Sequence, residues 1–352
     1  MDSNAAYRDF EKGYEAHRKS WKRPTVLVAG YVGSGKTSLI QAICGKDVVP
    51  PDRVGAGLPK TQAFAFYAND VIRFFDSKGL EPGIAESRFL EDASQFVRSL
   101  QSDANVDNHI HLVWYTIQGA GARVTPCDLH LIKDIFPNVL VLITKNDITR
   151  TDQRDAMTQV LVDNGVKLDR ILPCSDSDQS SLTAIVEKSH NLLPEAYRDA
   201  FVAAQMVSLE EKRGNAQKII LATAASAAVA GAVPLPFSDS FVIGPIQLTM
   251  IGGLAAVYNE PLVALQATFA PLIAEAIGTV TAATLTKFIP VLGSFINAGV
   301  AGGLTYAIGY IVDNYLAERF AARLAGKTPP AFHFAWNMFR EAYEAWKKRS
   351  KE

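Results

Sequence analysis

The chain has 352 residues, of which 48% are hydrophobic, and a formal net charge of −1. This length indicates two domains or one domain with a large extension, and the near-neutral charge argues against a nucleic-acid partner, whose binding needs a basic face. The three scattered cysteines are too few for a disulfide framework, and residues 1–21 lack the apolar core of a signal peptide. We therefore expect a cytoplasmic protein, with association at the inner face of a membrane left open.

Residues 1–22 predict an amphipathic helix. Tyr7, Phe10, Tyr14 and Trp21 recur at a spacing that places them on one helical face, while the other face is charged. Pro24 marks the end of this segment. A helix with one aromatic face needs a packing partner.

Residues 25–29 predict a buried strand, which runs directly into the sequence GYVGSGKT. This is the pattern G-x-x-x-x-G-K-[ST], in which backbone N–H groups and the dipole of the next helix point at one anion. Lys36 would reach the β- and γ-phosphates of a nucleotide, and the Thr37 hydroxyl would ligate Mg²⁺. The predicted nucleotide contacts of this loop are Gly30, Gly33, Ser34, Gly35, Lys36, Thr37 and Ser38.

Residues 64–67 and 71–75 predict two adjacent strands joined by a tight turn. The second strand ends in Asp76-Ser77-Lys78-Gly79. Ligands of open α/β sheets bind at the carboxyl ends of strands, so Asp76 is expected to hold the Mg²⁺ hydration shell. The N–H of Gly79 would be free for a γ-phosphate oxygen.

Residues 110–117 predict another buried strand, and a fifth apolar run, residues 139–143, is followed by Thr144-Lys145-Asn146-Asp147. The carboxylate of Asp147 can accept hydrogen bonds from both the ring N1–H and the exocyclic amine of guanine, a donor pair that adenine lacks. Lys145 would lie along the base plane. After a last strand, the turn at Ser175 and Asp176 could offer a backbone N–H to the guanine oxygen. Thr144 completes this predicted base site.

Strand and helix patterns alternate from residue 25 to about 195, which predicts an α/β fold with a mostly parallel sheet. With all five motifs in order, residues 24–195 resemble an Era-like GTPase of the translation-factor-related class. The resemblance implies GTP or GDP as ligand, Mg²⁺ held by Thr37, Thr61 and Asp76, and hydrolysis of GTP to GDP and phosphate. Lys36, Thr61 and Gly79 are then the expected catalytic set, with Thr61 as the switch threonine.

Departures from the family pattern concern the chemistry. Leu80 stands where Ras-like GTPases carry a water-positioning glutamine, and Val32 would obstruct an arginine finger. We therefore expect slow intrinsic hydrolysis. Glu81 and Arg123 are candidates for a substitute group, with solvated loop residues as the alternative reading. A P-loop ATPase and a non-hydrolysing, nucleotide-dependent scaffold remain alternatives at this stage.

Charged residues are rare between Lys218 and Val312. Three apolar runs, residues 219–238, 240–259 and 288–312, are each about long enough for a ~20-residue membrane span, and an alanine-rich helical bundle is the competing interpretation. The prolines at 234, 236 and 245 favour short helices. The sequences VPLPFSD (residues 233–239), GPIQLTMI (residues 244–251) and IPVLG (residues 289–293) resemble the YcjF-type domain of unknown function that follows some bacterial Era-like GTPases. The resemblance covers about residues 215–325 and implies work at or in a membrane.

A last amphipathic helix repeats the aromatic spacing of the first, with the seam Phe332, Trp336, Phe339, Tyr343 and Trp346. We expect the two terminal helices to pack against each other, with separate packing on the globular body and pairing between subunits left open. The predicted domains are an N-terminal helix (1–22), a GTPase domain (23–195), an apolar α-helical domain (196–328) and a C-terminal helix (329–352). The whole is predicted to be a GTP-dependent switch that acts on a membrane or a protein partner, with a homodimer left open.

Overall fold

The computed structural model describes residues 3–46, 48–49, 64–77, 86–231, 239–260, 298–332 and 336–349. They form two compact units. The sheet unit is Trp21–Ser208, and the helical unit combines the two ends of the chain, Met1–Ser20 and Leu209–Glu352. The sheet unit is thus inserted in sequence between the first helix and the rest of the helical unit.

The sheet unit contains a six-stranded sheet. Its strands are β1 (Thr25–Gly30), β2 (Phe64–Ala68), β3 (Arg73–Ser77), β4 (Leu112–Gln118), β5 (Val139–Thr144) and β6 (Ile171–Pro173). The strand order is β2-β3-β1-β4-β5-β6, and only the edge strand β2 runs antiparallel to its neighbour. β1 and β4 are apolar almost throughout because helices cover both faces of the sheet. The predicted mostly parallel sheet is confirmed.

Helices of the sheet unit lie in two layers. They are α2 (Lys36–Cys44), α3 (Glu86–Gln101), α4 (Pro126–His130), which continues as a π-helical turn (Leu131–Ile135), α5 (Thr151–Asp163), α6 (Gln179–Leu192) and α7 (Glu195–Ala204). One core lies under α2, α6 and α7 and contains Trp114. The other lies under α3, α4 and α5 and contains Tyr115. Neighbouring residues of β4 therefore face opposite layers.

The sheet unit extends past the predicted domain boundary at residue 195. Helix α7 buries Phe201, Ala203 and Ala204 in the same core as Trp114. Helix α7 therefore belongs to the sheet unit, which extends to Ser208.

The helical unit contains α1 (Ser3–Ser20), α8 (Leu209–Gly231), α9 (Asp239–Val257), α10 (Ala298–Leu324) and α11 (Trp336–Arg349). Helices α8, α9 and α10 pack on one another. Helix α9 continues through Pro245, so the predicted break at this proline is absent. The proline lacks one backbone donor but does not end the helix. Among the residues described, no helix is both long and apolar enough to cross a membrane. The predicted runs 219–238 and 288–312 lie partly outside the described residues.

The prediction that the terminal helices pair with each other is wrong. Helix α1 packs along α9 instead, and α11 packs along α10. Phe10 and Tyr14 of α1 are buried, and a Cβ on Gly13 would lie 2.3 Å from the carbonyl oxygen of Thr249 in α9. Trp346 of α11 packs against Tyr306 of α10, with ring centroids 5.4 Å apart.

Candidate functional site

The glycine-rich loop lies where β1 ends and α2 begins. Gly30, Gly33 and Gly35 all have positive φ, and a Cβ on Gly30 would lie only 2.2 Å from the carbonyl oxygen of Thr116. Gly35 is the N-cap of α2 and has no side chain to cover the first turn of that helix. The backbone N–H groups of this turn, including that of Ser38, are therefore available for an anion.

Lys36, the first residue of α2, is held by the loop itself. Its Nζ donates to the carbonyl oxygens of Gly30 and Tyr31, at 3.1 and 2.9 Å. The side chain is 8% exposed, and burial lowers the pKa of the ammonium while Asp76 opposes that shift. An ammonium held this way is placed at the loop before any ligand arrives.

The side-chain oxygen atoms of Thr37 and Asp76 lie together beside this lysine. The Thr37 hydroxyl donates to Asp76 Oδ2 at 2.6 Å. Asp76 Oδ1 is buried and has no hydrogen-bond partner among the described residues. Burial raises the pKa of Asp76, against the opposing effects of Thr37 and Lys36. An unpartnered buried carboxylate oxygen next to a hydroxyl fits a hard cation such as Mg²⁺, which prefers oxygen ligands and keeps several waters.

Two threonines, on the neighbouring strands β4 and β5, hydrogen-bond to the phosphate loop and the end of β1. Thr116 of β4 donates to the carbonyl oxygen of Ala29 at 3.0 Å and therefore accepts from Ser34, whose Oγ lies 2.6 Å away. Thr144 of β5 donates to the carbonyl oxygen of Ser34 at 2.8 Å. Thr144, predicted for the base site, thus also fixes the phosphate loop. Thr116 was missed; its only signal is a lone threonine near the end of an apolar strand.

The predicted base-reading residues follow β5 and β6 at the same edge of the sheet. The N–H of Asn146 donates to the carbonyl oxygen of Cys174 at 3.0 Å, which joins the two loops. Lys145 has a φ of +56°, a left-handed conformation that is uncommon and strained for a lysine. The side chain of Asp147 is exposed and therefore accessible to a ligand.

The last predicted contacts, Ser175 and Asp176, differ from each other. Ser175 is buried, its N–H donates to Ser181 Oγ at 3.2 Å, and its hydroxyl lies 2.9 Å from Ser177 Oγ. Asp176 is exposed. Because the Ser175 N–H is already bonded, a base oxygen would have to displace Ser181 or use another N–H of this turn.

Several predicted residues lie outside the described residues: Thr61, Gly79, Leu80 and Glu81. Arg123 is exposed, between β4 and α4. Sequence reasoning also missed Tyr31, whose side chain hydrogen-bonds near the start of α4. Tyrosine is unremarkable at a variable position of the motif, so no sequence signal singled it out.

The mostly parallel sheet with a phosphate-loop motif after β1 has the architecture of a P-loop nucleotide-binding fold, here with an added helical unit. No family model and no curated protein matches the chain. Among solved structures it is similar to a probable GTP-binding protein engB, with a TM-score of 0.37 and 16% identity, over 48% of this chain and 97% of that one. It is also similar to a dimerization-deficient mutant of Toc33 from Arabidopsis thaliana, with a TM-score of 0.33 and 18% identity, over 49% of this chain and 79% of that one.

Proposed function

We propose that the sheet unit binds GTP and GDP together with Mg²⁺. The observation that carries this proposal is the Thr37–Asp76 pair beside Lys36, with Asp76 Oδ1 buried and unpartnered. Lys36 would bind the phosphates, and the N-terminus of α2 would add its N–H groups and dipole. Thr37 and Asp76 would hold Mg²⁺ and its waters, and the ion would neutralise charge on the phosphate oxygens. The remaining loop contacts would come from Gly30, Gly33, Ser34, Gly35 and Ser38.

Guanine is the proposed base because of Asp147. An exposed carboxylate at the carboxyl edge of β5 can accept from both donors of the guanine edge, and Lys145 would pack along the ring. Ser175 and Asp176 would close the base site. The same carboxylate could accept only one hydrogen bond from adenine, which presents a donor next to an acceptor, and this argues against a P-loop ATPase.

We also propose that the protein hydrolyses GTP slowly. Lys36, Thr61 and Gly79 would stabilise the transferred phosphoryl group, whereas Leu80 cannot orient the attacking water. The missing group would come from another subunit or a partner. The non-hydrolysing scaffold is the second candidate, and Leu80 is the residue that favours it. A rate of GTP hydrolysis per molecule that rises with protein concentration or with added liposomes would support assisted hydrolysis.

The helical unit would couple the nucleotide state to a protein partner or to the inner face of a membrane. The resemblance of residues 215–325 to a YcjF-type domain and the rarity of charged residues between Lys218 and Val312 support this role. Co-sedimentation of the protein with liposomes, in the presence of GTP or of GDP, tests whether it associates with a membrane. The same sedimentation without lipid reports whether the protein associates with itself.

The proposed base specificity has a direct test. Replacement of Asp147 by asparagine (Asp147→Asn) removes an acceptor, and a bond to a charged group contributes about 1.5–3 kcal/mol. Guanine nucleotide affinity should fall by about 10- to 100-fold, and xanthine nucleotides, with a complementary edge, should bind better than to the wild type. Calorimetric titration measures both.

Lys36→Ala serves as the companion variant, since it should abolish phosphate-dependent affinity while the circular dichroism spectrum stays unchanged. Equal guanine affinity in the wild type and in Asp147→Asn would show that Asp147 does not read the base.

A further inference from the structure

The backbone of Lys145 is strained in the middle of the proposed base-reading loop. Its φ of +56° is a left-handed conformation that a lysine keeps only when neighbouring groups hold it there. Asp147 lies two residues further along the same loop, so the position of its carboxylate depends on the backbone of Lys145. The groups that hold Lys145 therefore also set the position of the side chain that would read the base.

The peptide unit between Lys145 and Asn146 is held at both of its ends. The Lys145 carbonyl oxygen accepts from the Thr149 hydroxyl at 2.7 Å and from the N–H of Ile148 at 3.2 Å. The N–H of Asn146 donates to the carbonyl oxygen of Cys174 at 3.0 Å. Only the bond from Thr149 comes from a side chain, and it is the shortest of the three.

A glycine on the neighbouring loop leaves room for Thr149. Gly119 follows β4, and a Cβ on it would lie 2.3 Å from Thr149 Oγ1 and 2.9 Å from Thr149 Cγ2. The φ of Gly119 lies outside the left-handed region, so space rather than backbone freedom requires a glycine there. A Cβ on Gly121, in the same short turn, would meet no atom within 4 Å. Gly119 and Thr149 are therefore a fitted pair across the loops that follow β4 and β5.

We propose that Thr149 is a positioning residue of the base site, which holds Lys145 and Asp147 in place for the guanine ring, and that Gly119 leaves the space it needs. This inference rests on the proposed function, in which Asp147 accepts from the ring N1–H and the exocyclic amine of guanine. Without the Thr149 hydroxyl, the Lys145 carbonyl loses its shortest bond and the strained backbone relaxes. The carboxylate of Asp147 then moves away from its donors, while the phosphate loop, between β1 and α2, keeps its own contacts.

The experiment measures how well the full chain distinguishes GDP from inosine diphosphate (IDP). The base of IDP lacks the exocyclic amine of guanine, so the ratio of the two affinities reports the bond from that amine to Asp147. Calorimetry with Mg²⁺ gives both affinities, and thermal melting reports stability. Thr149→Val keeps the shape of the side chain without its hydroxyl and should lower the ratio by about three- to tenfold, the size expected for one hydrogen bond. Thr149→Ser restores the hydroxyl and should keep the ratio within about twofold of the wild type.

Thr158→Val is the matched control. The Thr158 hydroxyl donates to the carbonyl oxygen of Arg154, four residues earlier, at 2.9 Å. The variant therefore removes the same kind of bond within α5 and should leave the ratio unchanged. Gly119→Ala should lower the ratio as Thr149→Val does, whereas Gly121→Ala should not change it.

A ratio that is unchanged in Thr149→Val, or lowered equally in Thr158→Val, would overturn the role of Thr149. A lower melting temperature with an unchanged ratio would likewise show that Thr149 serves the fold alone. An unchanged ratio in Gly119→Ala would overturn the part assigned to that glycine. If the wild type binds GDP and IDP equally, or binds neither, the proposed reading of guanine by Asp147 fails, and the role of Thr149 fails with it.

Discussion

Asp76 is placed at a cost to the fold. Its carboxylate is buried, one oxygen has no partner among the described residues, and burial raises its pKa above the ordinary value near 3.8. Between 3.8 and the raised value, the folded state binds more protons than the unfolded state, so stability falls as pH rises through this window and is constant above it. The ionised form is nevertheless the one that a cation needs, so Mg²⁺-dependent nucleotide affinity should fall as pH drops through the same window.

Asp76→Asn should separate these two effects. At pH 7 we expect the ligand-free variant to melt at or above the wild-type temperature, because a buried charge is removed while an oxygen remains to accept from Thr37. Mg²⁺-dependent nucleotide affinity should fall by about 10- to 100-fold. Thermal melting and calorimetry, each across pH, measure the two quantities.

Asp92→Asn, on the exposed face of α3, is the control and should change neither property. A clear loss of stability in Asp76→Asn would mean that Asp76 serves the fold rather than a ligand.

At this scale, sequence predicted residues whose role depends on local spacing. The motif places Lys36 and Thr37 at the start of α2, and the run before Asp76 predicts a strand end. Thr116 and Tyr31 could not be predicted, because their contacts depend on the register of β4 against β1 and on where α4 begins. Register and helix placement are tertiary properties that one sequence does not reveal.

At the scale of elements, residues 205–208, which follow α7, are held by the hydrogen bonds of one buried side chain. Gln205 is fully buried; its Oε1 accepts from the N–H groups of Val207 and Ser208, each at 2.7 Å, and its Nε2 donates to the carbonyl oxygen of Ser208 at 2.8 Å. The N–H of Met206 donates to the carbonyl oxygen of Ile43 near the end of α2, at 2.6 Å. One side chain thus replaces the regular backbone bonding between α7 and α8. Glutamine is mostly exposed in proteins, so its residue type predicts a surface position rather than this buried one.

Gln205→Ala should therefore destabilise the sheet unit. It removes the three hydrogen bonds that Gln205 makes to Val207 and Ser208, at a total cost of about 3 kcal/mol. Urea unfolding measures the loss, and amide hydrogen exchange at Val207 and Ser208 should accelerate. Gln159→Ala, at an exposed glutamine of α5, should change stability by less than about 0.5 kcal/mol. Slow exchange at both amides in Gln205→Ala would contradict the role of this side chain.

At the scale of the whole molecule, the helical unit is built from both ends of the chain and has its own core. Phe10, Leu254 and Phe320 are buried there, and the carboxylate of Glu260 pairs with Arg319 and Arg323 at 2.9 and 3.0 Å. The aromatic spacing predicted the burial of Phe10 and Tyr14 in α1, but Trp21 follows the end of that helix and packs against the core of the sheet unit instead. The spacing could not identify the partner helix, because periodicity shows which face of a helix is buried but not what covers it. The partner is α9, whose backbone lies close to that of α1 at two glycines: a Cβ on Gly13 would meet Thr249, and one on Gly252 would lie 2.2 Å from the carbonyl oxygen of Phe10.

This arrangement predicts that α1 can be supplied as a separate peptide. A chain that begins at Trp21 keeps the whole sheet unit and should still bind nucleotide, but α9 loses the cover of Phe10 and Tyr14, each worth about 2 kcal/mol of burial. Amide exchange in residues 248–257 should therefore accelerate, and a peptide of residues 1–20 should restore protection by mass action. The same peptide with Gly13→Leu should fail, since its side chain would occupy the space of the Thr249 backbone. Equal protection by both peptides would show that the close contact of α1 with α9 does not hold the helical unit together.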